Sequence, residues 1–443
     1  MKALLYSHRR IATEAAWVFG GHGASAIATL VGLRLITESV SPAVYGTVVL
    51  VLGVLTLAHG LAAGPLMQAV LRFYPEFAAE GREGQLRQAV RVALRKPLIV
   101  TVVALAFLGA SWASLQPQQA WLVFFALALF VTEVARSVEV TFLNAARRQR
   151  AMALLMAADA WLRPIAAVAL VWVFGANGAA VMAGYLVGCT LALAGFRLVM
   201  QTRGHRDRSP MTDSPASVET EVPRQLWAYA LPLTPLPLIG WVSGQADRYL
   251  VGGLCGFAAA GIYAALYGLA SKPFILLSAG LDSTLRQPYY GRVSAGDAAG
   301  EQQALALWLV LVAAGALALC LLLVLFHAEL AALVLAAEYR VHSALMGWIA
   351  TGYVLLGMAQ VFDRVCYAHH DTVGVLWVQA TCAALSVVIA VPLVWGYGIE
   401  GAAWAVPVYF SAQLLLTAKR ARSARRQGRQ LNATAKAADI SIT

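Results

Sequence analysis

The sequence predicts an all-α integral membrane protein, with about twelve transmembrane helices in two six-helix lobes related by a pseudo-two-fold axis along the membrane normal. The first observation is composition: 60% of the 443 residues are hydrophobic and 12% are charged, whereas a soluble domain carries roughly 25% charged residues. The second is a series of apolar segments long enough to cross a bilayer. The third is a set of short motifs that recur in the two halves of the chain.

Hydropathy over windows of about 20 residues predicts the membrane spans. They are predicted at 12–36, 43–68, 92–114, 119–143, 151–174, 178–199, 226–251, 258–283, 303–326, 343–366, 373–396 and 401–418. Alternate connections and both termini carry most of the Lys and Arg, so the positive-inside rule predicts cytoplasmic termini. The same rule accounts for the formal net charge of +11 without a nucleic-acid partner.

Four regions follow from this pattern. They are an N-terminal lobe (1–200), a polar Pro/Ser-rich cytoplasmic linker (201–224), a C-terminal lobe (225–420) and a basic cytoplasmic tail (421–443). Arg34 and Arg72 lie 38 residues apart, and so do Arg248 and Arg286. An even number of helices in each half gives both halves the same orientation, which predicts parallel repeats with a substrate site between them.

Basic residues within or next to the predicted spans are the candidate substrate-binding groups. A charged group near the bilayer centre costs roughly 2.5–3.5 kcal/mol on insertion scales, so such groups usually serve a function. Lys272 lies in the middle of its span, with no carboxylate three or four residues away. The other candidates are Arg34, Arg72, Arg248 and Arg286, although anchoring at the cytoplasmic surface remains an alternative for Arg72 and Arg286.

Intramembrane acids are candidates for coupling transport to protons or ions. These are Asp247, Asp159 and Glu133. A structural alternative remains open for two of them, because Asp159 with Arg163 (i,i+4) and Glu133 with Arg136 (i,i+3) could neutralise each other on one helix. Asp363 and Arg364 are interpreted as residues that reach the membrane interface.

The motifs of common enzymes and metal sites do not occur in the sequence, and nothing in it indicates a metal or a cofactor. Guanidinium groups bind phosphate oxygens in pairs and a lysine adds a point charge. The basic residues therefore favour an anionic, phosphorylated head group.

Several short motifs resemble one transporter family. Asp247-Arg248, the segment 260–264 (AGIYA), the segment 41–46 (SPAVYG) and the segment 337–340 (AEYR) are similar to motifs of the polysaccharide (O-antigen) repeat-unit flippases. These belong to the multidrug/oligosaccharidyl-lipid/polysaccharide exporter superfamily. The resemblance implies a MATE-like fold and alternating-access flipping of an undecaprenyl-pyrophosphate-linked oligosaccharide. It points to Arg34, Arg248 and Lys272 as head-group ligands, and to membrane lipids and polysaccharide polymerase or assembly proteins as partners.

Other functions remain as alternatives. A lipid II-type flippase resembles the chain but would typically have two further helices, and a drug/cation antiporter would be expected to have an acid-dominated cavity. A non-transporting assembly protein is possible if every charge is self-paired. A polysaccharide polymerase or ligase is disfavoured, because the longest predicted external loop has about 16 residues and leaves little room for a catalytic domain.

Overall fold

A computed structural model describes the backbone of residues 2–203 and 216–440 and the side chains of 20–21, 23–200 and 221–427. The chain divides into two compact units, Met1–Leu238 and Ile239–Thr443. In the described part every regular element is a helix, which confirms the predicted all-α class. Residues 204–215 of the predicted linker and 441–443 of the predicted tail lie outside the described residues.

The helices of the first unit lead from the N-terminus into the start of α9. They are α1 (Lys2–Ser39), α2 (Pro42–Ala62), α3 (Gly64–Ala79), α4 (Glu83–Leu115), α5 (Ala120–Ala145), α6 (Gln149–Phe174), α7 (Gly178–Arg203) and α8 (Ala216–Ala230). The helix α8 begins inside the predicted linker, whose boundaries stay a prediction.

The second unit contains most of α9 and all later helices. They are α9 (Pro235–Cys255), α10 (Phe257–Ser294), α11 (Ala298–Leu325), α12 (His327–Val334), α13 (Leu345–Ala368) and α14 (Thr372–Ile440). Its core packs Tyr289 edge-on against Trp308, with the ring centroids 6.0 Å apart.

The predicted spans fall on helical segments, and the helices are interrupted at three places where the sequence has proline or glycine. The predicted span 43–68 breaks at Ala63, where Pro65 in the first turn of α3 cannot donate a backbone hydrogen bond. The predicted span 226–251 is interrupted by a 3-10 turn at Leu231–Leu233. Within α14, Gly398 has φ +59° and separates the last two predicted spans.

Two glycines set the close packing of α7 on α6. A Cβ added to Gly184 would lie 2.2 Å from Cα of Ala167, and one added to Gly188 would lie 2.6 Å from Cα of Arg163. The two glycines are four residues apart and therefore share one face of α7. Small residues at this spacing allow two membrane helices to approach backbone to backbone. This contact packs the backbone of α7 against that of α6 at Arg163.

The outer surface of the described helices is apolar, as expected beside lipid. Phe107 on α4 is 73% exposed and Val100 is 68% exposed. Within the described residues, nine helices are long and apolar enough to cross a membrane by length and composition. The protein is accordingly a multi-pass membrane protein.

The start of the basic tail continues α14 and is bound to the C-terminal unit by ion pairs. Glu301, at the start of α11, accepts hydrogen bonds from Arg425 Nε (2.5 Å), from the Tyr289 hydroxyl (3.2 Å) and, when that nitrogen is protonated, from His369 Nε2 (3.3 Å). The Glu301 side chain is only 5% exposed. Breaking such a pair leaves a buried charge without its partner.

A second contact lies one turn earlier. Arg420 donates two hydrogen bonds to the Asp371 carboxylate, at 2.5 and 2.7 Å. These bonds hold the pKa of Asp371 below its ordinary value. The contribution to stability is therefore present above the ordinary carboxyl pKa of about 4 and is lost as the pH falls through the lowered value.

Glu301→Gln should lower the free energy of unfolding by about 3 kcal/mol, because Arg425 would lose the anion it faces in a buried site. The measurement is thermal unfolding of the purified protein in detergent, with protease sensitivity of the segment after 420 as a second readout. Glu329→Gln, at an exposed position of the same unit, is the control and should change neither. Equal behaviour of the two variants would contradict the assigned role of Glu301.

Candidate functional site

Two acids and two arginines form a closed charge network in the N-terminal unit. Arg163 on α6 contacts Glu133 on α5 and donates from Nε to Asp159 Oδ1 at 2.7 Å. Arg136 also contacts Glu133, and its Nε lies 3.4 Å from Asp159 Oδ2. Each acid therefore faces both arginines, and the four formal charges sum to zero. The same-helix pairing that the sequence left open is present, and contacts between α5 and α6 extend it.

A small cavity adjoins this network. It has a volume of about 160 Å³, and its lining includes Glu133, Arg163, Thr56 and His59. Nε2 of His59 lies 2.9 Å from the Ser137 hydroxyl. The network is thus placed beside a polar space, and whether Asp159 and Glu133 couple transport stays a prediction.

Two of the predicted basic ligands in this unit pair with acids one helical turn later. Arg34 contacts Glu38. Arg72 Nη1 lies 2.6 Å from Glu76 Oε1, and both of these side chains are more than half exposed. Their binding role stays a prediction. A phosphate would have to compete with a carboxylate at each position.

In the C-terminal unit, Asp247 is held by neutral donors. Its Oδ2 accepts a hydrogen bond from the Tyr263 hydroxyl at 2.7 Å, and its Oδ1 accepts one from the backbone N–H of Arg248 at 2.8 Å. Asp247 is buried. The Asp247-Arg248 pair therefore does not form a side-chain ion pair in the described part of the chain.

The Arg248 guanidinium is stacked and hydrogen-bonded, but it forms no ion pair with an acid in the described residues. Its Cζ lies 4.7 Å from the centre of the Tyr267 ring, which permits a cation–π interaction. It donates to the Gln245 side chain and, at 3.3 Å, to the Gly244 carbonyl. Its Nε is buried and has no hydrogen-bond partner. The group is thus oriented without a side-chain ion pair in the described part of the chain.

Lys272 lies on α10 in the same unit and is exposed. No described residue forms a hydrogen bond or ion pair with its ammonium group. The salt bridges in the described part of this unit join other residues. Lys272 is close enough to Arg248 for the two positive charges to repel each other. The sequence did not predict the aromatic residues around Arg248, because their spacing resembles ordinary core packing.

Arg286 belongs to a second C-terminal cluster. Its Nη1 lies 3.3 Å from Asp282 Oδ2, and Arg364 Nε lies 2.7 Å from Asp282 Oδ1. Asp282 therefore joins α10 to α13. Asp363, interpreted from the sequence as an interfacial residue, is instead only 6% exposed. That interpretation was wrong because Asp363 lies on the buried face of α13.

Solved structures of similar fold define the class. An inward-facing multidrug resistance MATE family transporter of the MOP superfamily matches with a TM-score of 0.67 and 14% identity, over 94% of this chain and 95% of that chain. The inward closed lipid II flippase MurJ matches with a TM-score of 0.68 and 11% identity, over 94% and 90%. A Vibrio cholerae MATE transporter, VcmN in the bent form, matches with 0.59 and 15%, over 94% and 98%. The chain has the MATE-like fold that these structures share.

The family follows from the sequence itself. The profile of the polysaccharide biosynthesis protein family matches residues 11–284, which is more than half of the chain. The chain therefore belongs to this family, as its short motifs indicated. No curated protein sequence gives a significant match.

Arg163→Leu should lower the free energy of unfolding by about 3 kcal/mol, because Glu133 and Asp159 would each lose a cation in a largely buried network. Thermal unfolding in detergent is the measurement. Arg197→Leu is the control, since Arg197 is half exposed in its pair with Glu139 and exposed pairs contribute up to about 1 kcal/mol. The double variant Arg163→Leu/Glu133→Gln should lose less than the two single losses combined; strict additivity would argue against a coupled network.

Proposed function

We propose that the protein flips an undecaprenyl-pyrophosphate-linked oligosaccharide, the repeat unit of a polysaccharide, from the inner to the outer leaflet of a bacterial inner membrane. Transport proceeds by alternating access, and both termini face the cytoplasm. The protein acts as a transporter and not as an enzyme. Membership of the polysaccharide biosynthesis family and the fold shared with a lipid II flippase support this proposal.

One observation carries the proposal: Arg248 and Lys272 are neighbouring cations, and neither forms a side-chain ion pair with a described carboxylate. Two such charges repel each other in a membrane unit, where an uncompensated charge is costly. A pyrophosphate would offset that cost, because it brings at least two negative charges to one place. The two cations are therefore suited to bind an anionic head group.

The chemistry of the two side chains fits a diphosphate. A guanidinium offers parallel N–H donors to two oxygens, and stacking on Tyr267 fixes the plane of Arg248. Lys272 adds a flexible point charge that follows the phosphate as it moves. Arg34, Arg72 and Arg286 complete the proposed set of ligands by exchanging a carboxylate for a phosphate oxygen during transport.

The transport cycle is proposed to be coupled to protons or ions through Asp247, Asp159 and Glu133. Coupling through Asp159 and Glu133 would require the network with Arg136 and Arg163 to rearrange. Polysaccharide polymerase or assembly proteins are the proposed partners that receive the flipped unit.

The unpaired cations also bear on the alternatives. A drug/cation antiporter binds positively charged guests, which Arg248 and Lys272 would repel. A lipid II-type flippase carries the same class of pyrophosphate head group. The two flippase functions therefore differ in the attached glycan and not in this pair of residues.

Replacing Lys272 or Arg248 by Ala should lower flipping by about tenfold or more, since a hydrogen bond to a charged group contributes ~1.5–3 kcal/mol. The measurement is the appearance of labelled lipid-linked oligosaccharide on the far side of reconstituted vesicles. Lys419→Ala, an exposed lysine at the end of the same unit, is the control and should transport normally. Arg248→Lys should not restore the rate, because a lysine lacks the planar fork.

The same vesicles distinguish the functions. Normal flipping by both alanine variants would remove the pair from the site. Flipping of lipid II but not of repeat-unit oligosaccharides would favour the lipid II-type function. Expulsion of organic cations without any lipid flipping would contradict the proposed function as a whole.

A further inference from the structure

A polar cavity lies inside the C-terminal unit, apart from Arg248 and Lys272. Its volume is about 460 Å³, enough for several water molecules. Its walls come from α10, α11, α13 and α14. The polar residues of the lining include Asp282, Asp363, Arg364, Gln360, Gln379 and Gln413.

Asp363 differs in how its charge is compensated from the acids that pair with arginines. Its Oδ1 is buried without a hydrogen-bond partner, and no other carboxylate oxygen in the described part of the chain is in that state. The Gln379 side chain, a neutral amide, interacts with the carboxyl group. By contrast, Glu133, Asp159 and Asp282 each face two arginines.

The groups around Asp363 leave both of its charge states accessible. The titratable or charged groups around it are Asp282 from α10, Arg364, Cys366 and Tyr367 from α13, and Cys382 from α14. Arg286 pairs with Asp282. The cavity lining from α11 is apolar, from Trp308 and Val312.

Asp282 with Arg286 and Arg364 carries a net charge of +1, so an ionised Asp363 makes the cluster neutral. If Arg364 turned toward Asp363, Asp282 would keep Arg286 as a partner.

We propose that Asp363 is a protonation site of the C-terminal unit. In one state its carboxyl group holds the proton and Arg364 pairs with Asp282. In the other, the proton leaves the carboxyl O–H for a water molecule in the cavity, and the resulting carboxylate attracts Arg364. This exchange shifts α13 relative to α10, because the two helices are joined through Arg364 and Asp282. That it drives transport rests on the proposed function, whereas the protonation itself does not.

Infrared difference spectroscopy of the purified full-length protein tests the site without any substrate. A pH titration should reveal a protonated-carboxyl C=O band that disappears in Asp363→Asn. Asp282→Asn is the matched control and should retain the band, because Asp282 is paired with two arginines and is not the proposed proton-binding group. Gln379→Leu should shift the position of the band while leaving it present.

The outcomes are separable. Persistence of the band in Asp363→Asn, or its absence from the unchanged protein between pH 4 and 9, would overturn the proposal. A titration midpoint that moves with sodium but not with choline would overturn the assignment to protons in favour of a metal cation.

If Asp363→Asn fails to fold, Asp363→Glu with a displaced band supports the same assignment, and an unmoved band contradicts it. Loss of the band together with unchanged flipping would separate the protonation site from transport and would leave the proposed function intact.

Discussion

The structure depends on one constraint: an ionised side chain in hydrocarbon needs an opposite charge, a set of hydrogen bonds or a polar space beside it. The N-terminal unit meets this constraint with pairs of acids and arginines from α5 and α6. The close approach of α7 through Gly184 and Gly188 packs these helices together. Packing and charge compensation in this unit are therefore two consequences of the same helix arrangement.

The C-terminal unit meets the constraint less completely, and its function is proposed to lie in that difference. Arg248 is oriented by Tyr267 and Gln245 and forms no side-chain ion pair with a described acid. Asp363 has an oxygen without a donor beside a polar cavity. Arg248 lacks a side-chain ion pair within the described residues, and Asp363 lacks a hydrogen-bond donor at one oxygen. These two groups suit a protein that binds an anionic head group at one position and exchanges a proton at another.

Ion pairs also join the later part of α14 to the rest of this unit. Glu301 and Asp371 bind Arg425 and Arg420, so the first part of the basic tail is a structural element of the C-terminal unit. From the sequence, these arginines indicated only which side of the membrane the tail occupies. In the structure, the same arginines hold α14 against the C-terminal unit.

The sequence by itself determined the all-α membrane class, the helical segments of the chain apart from their internal breaks, and the pairs that lie one turn apart, such as Arg72 with Glu76. Hydropathy and helical periodicity act over short distances, so the sequence contains them directly. Only the tertiary structure decided that Asp363 is buried, that Glu133 faces Arg163 from another helix and that Asp247 does not pair with Arg248. These outcomes depend on how helices rotate and pack against one another, and side-chain charges distant in sequence do not reveal that rotation.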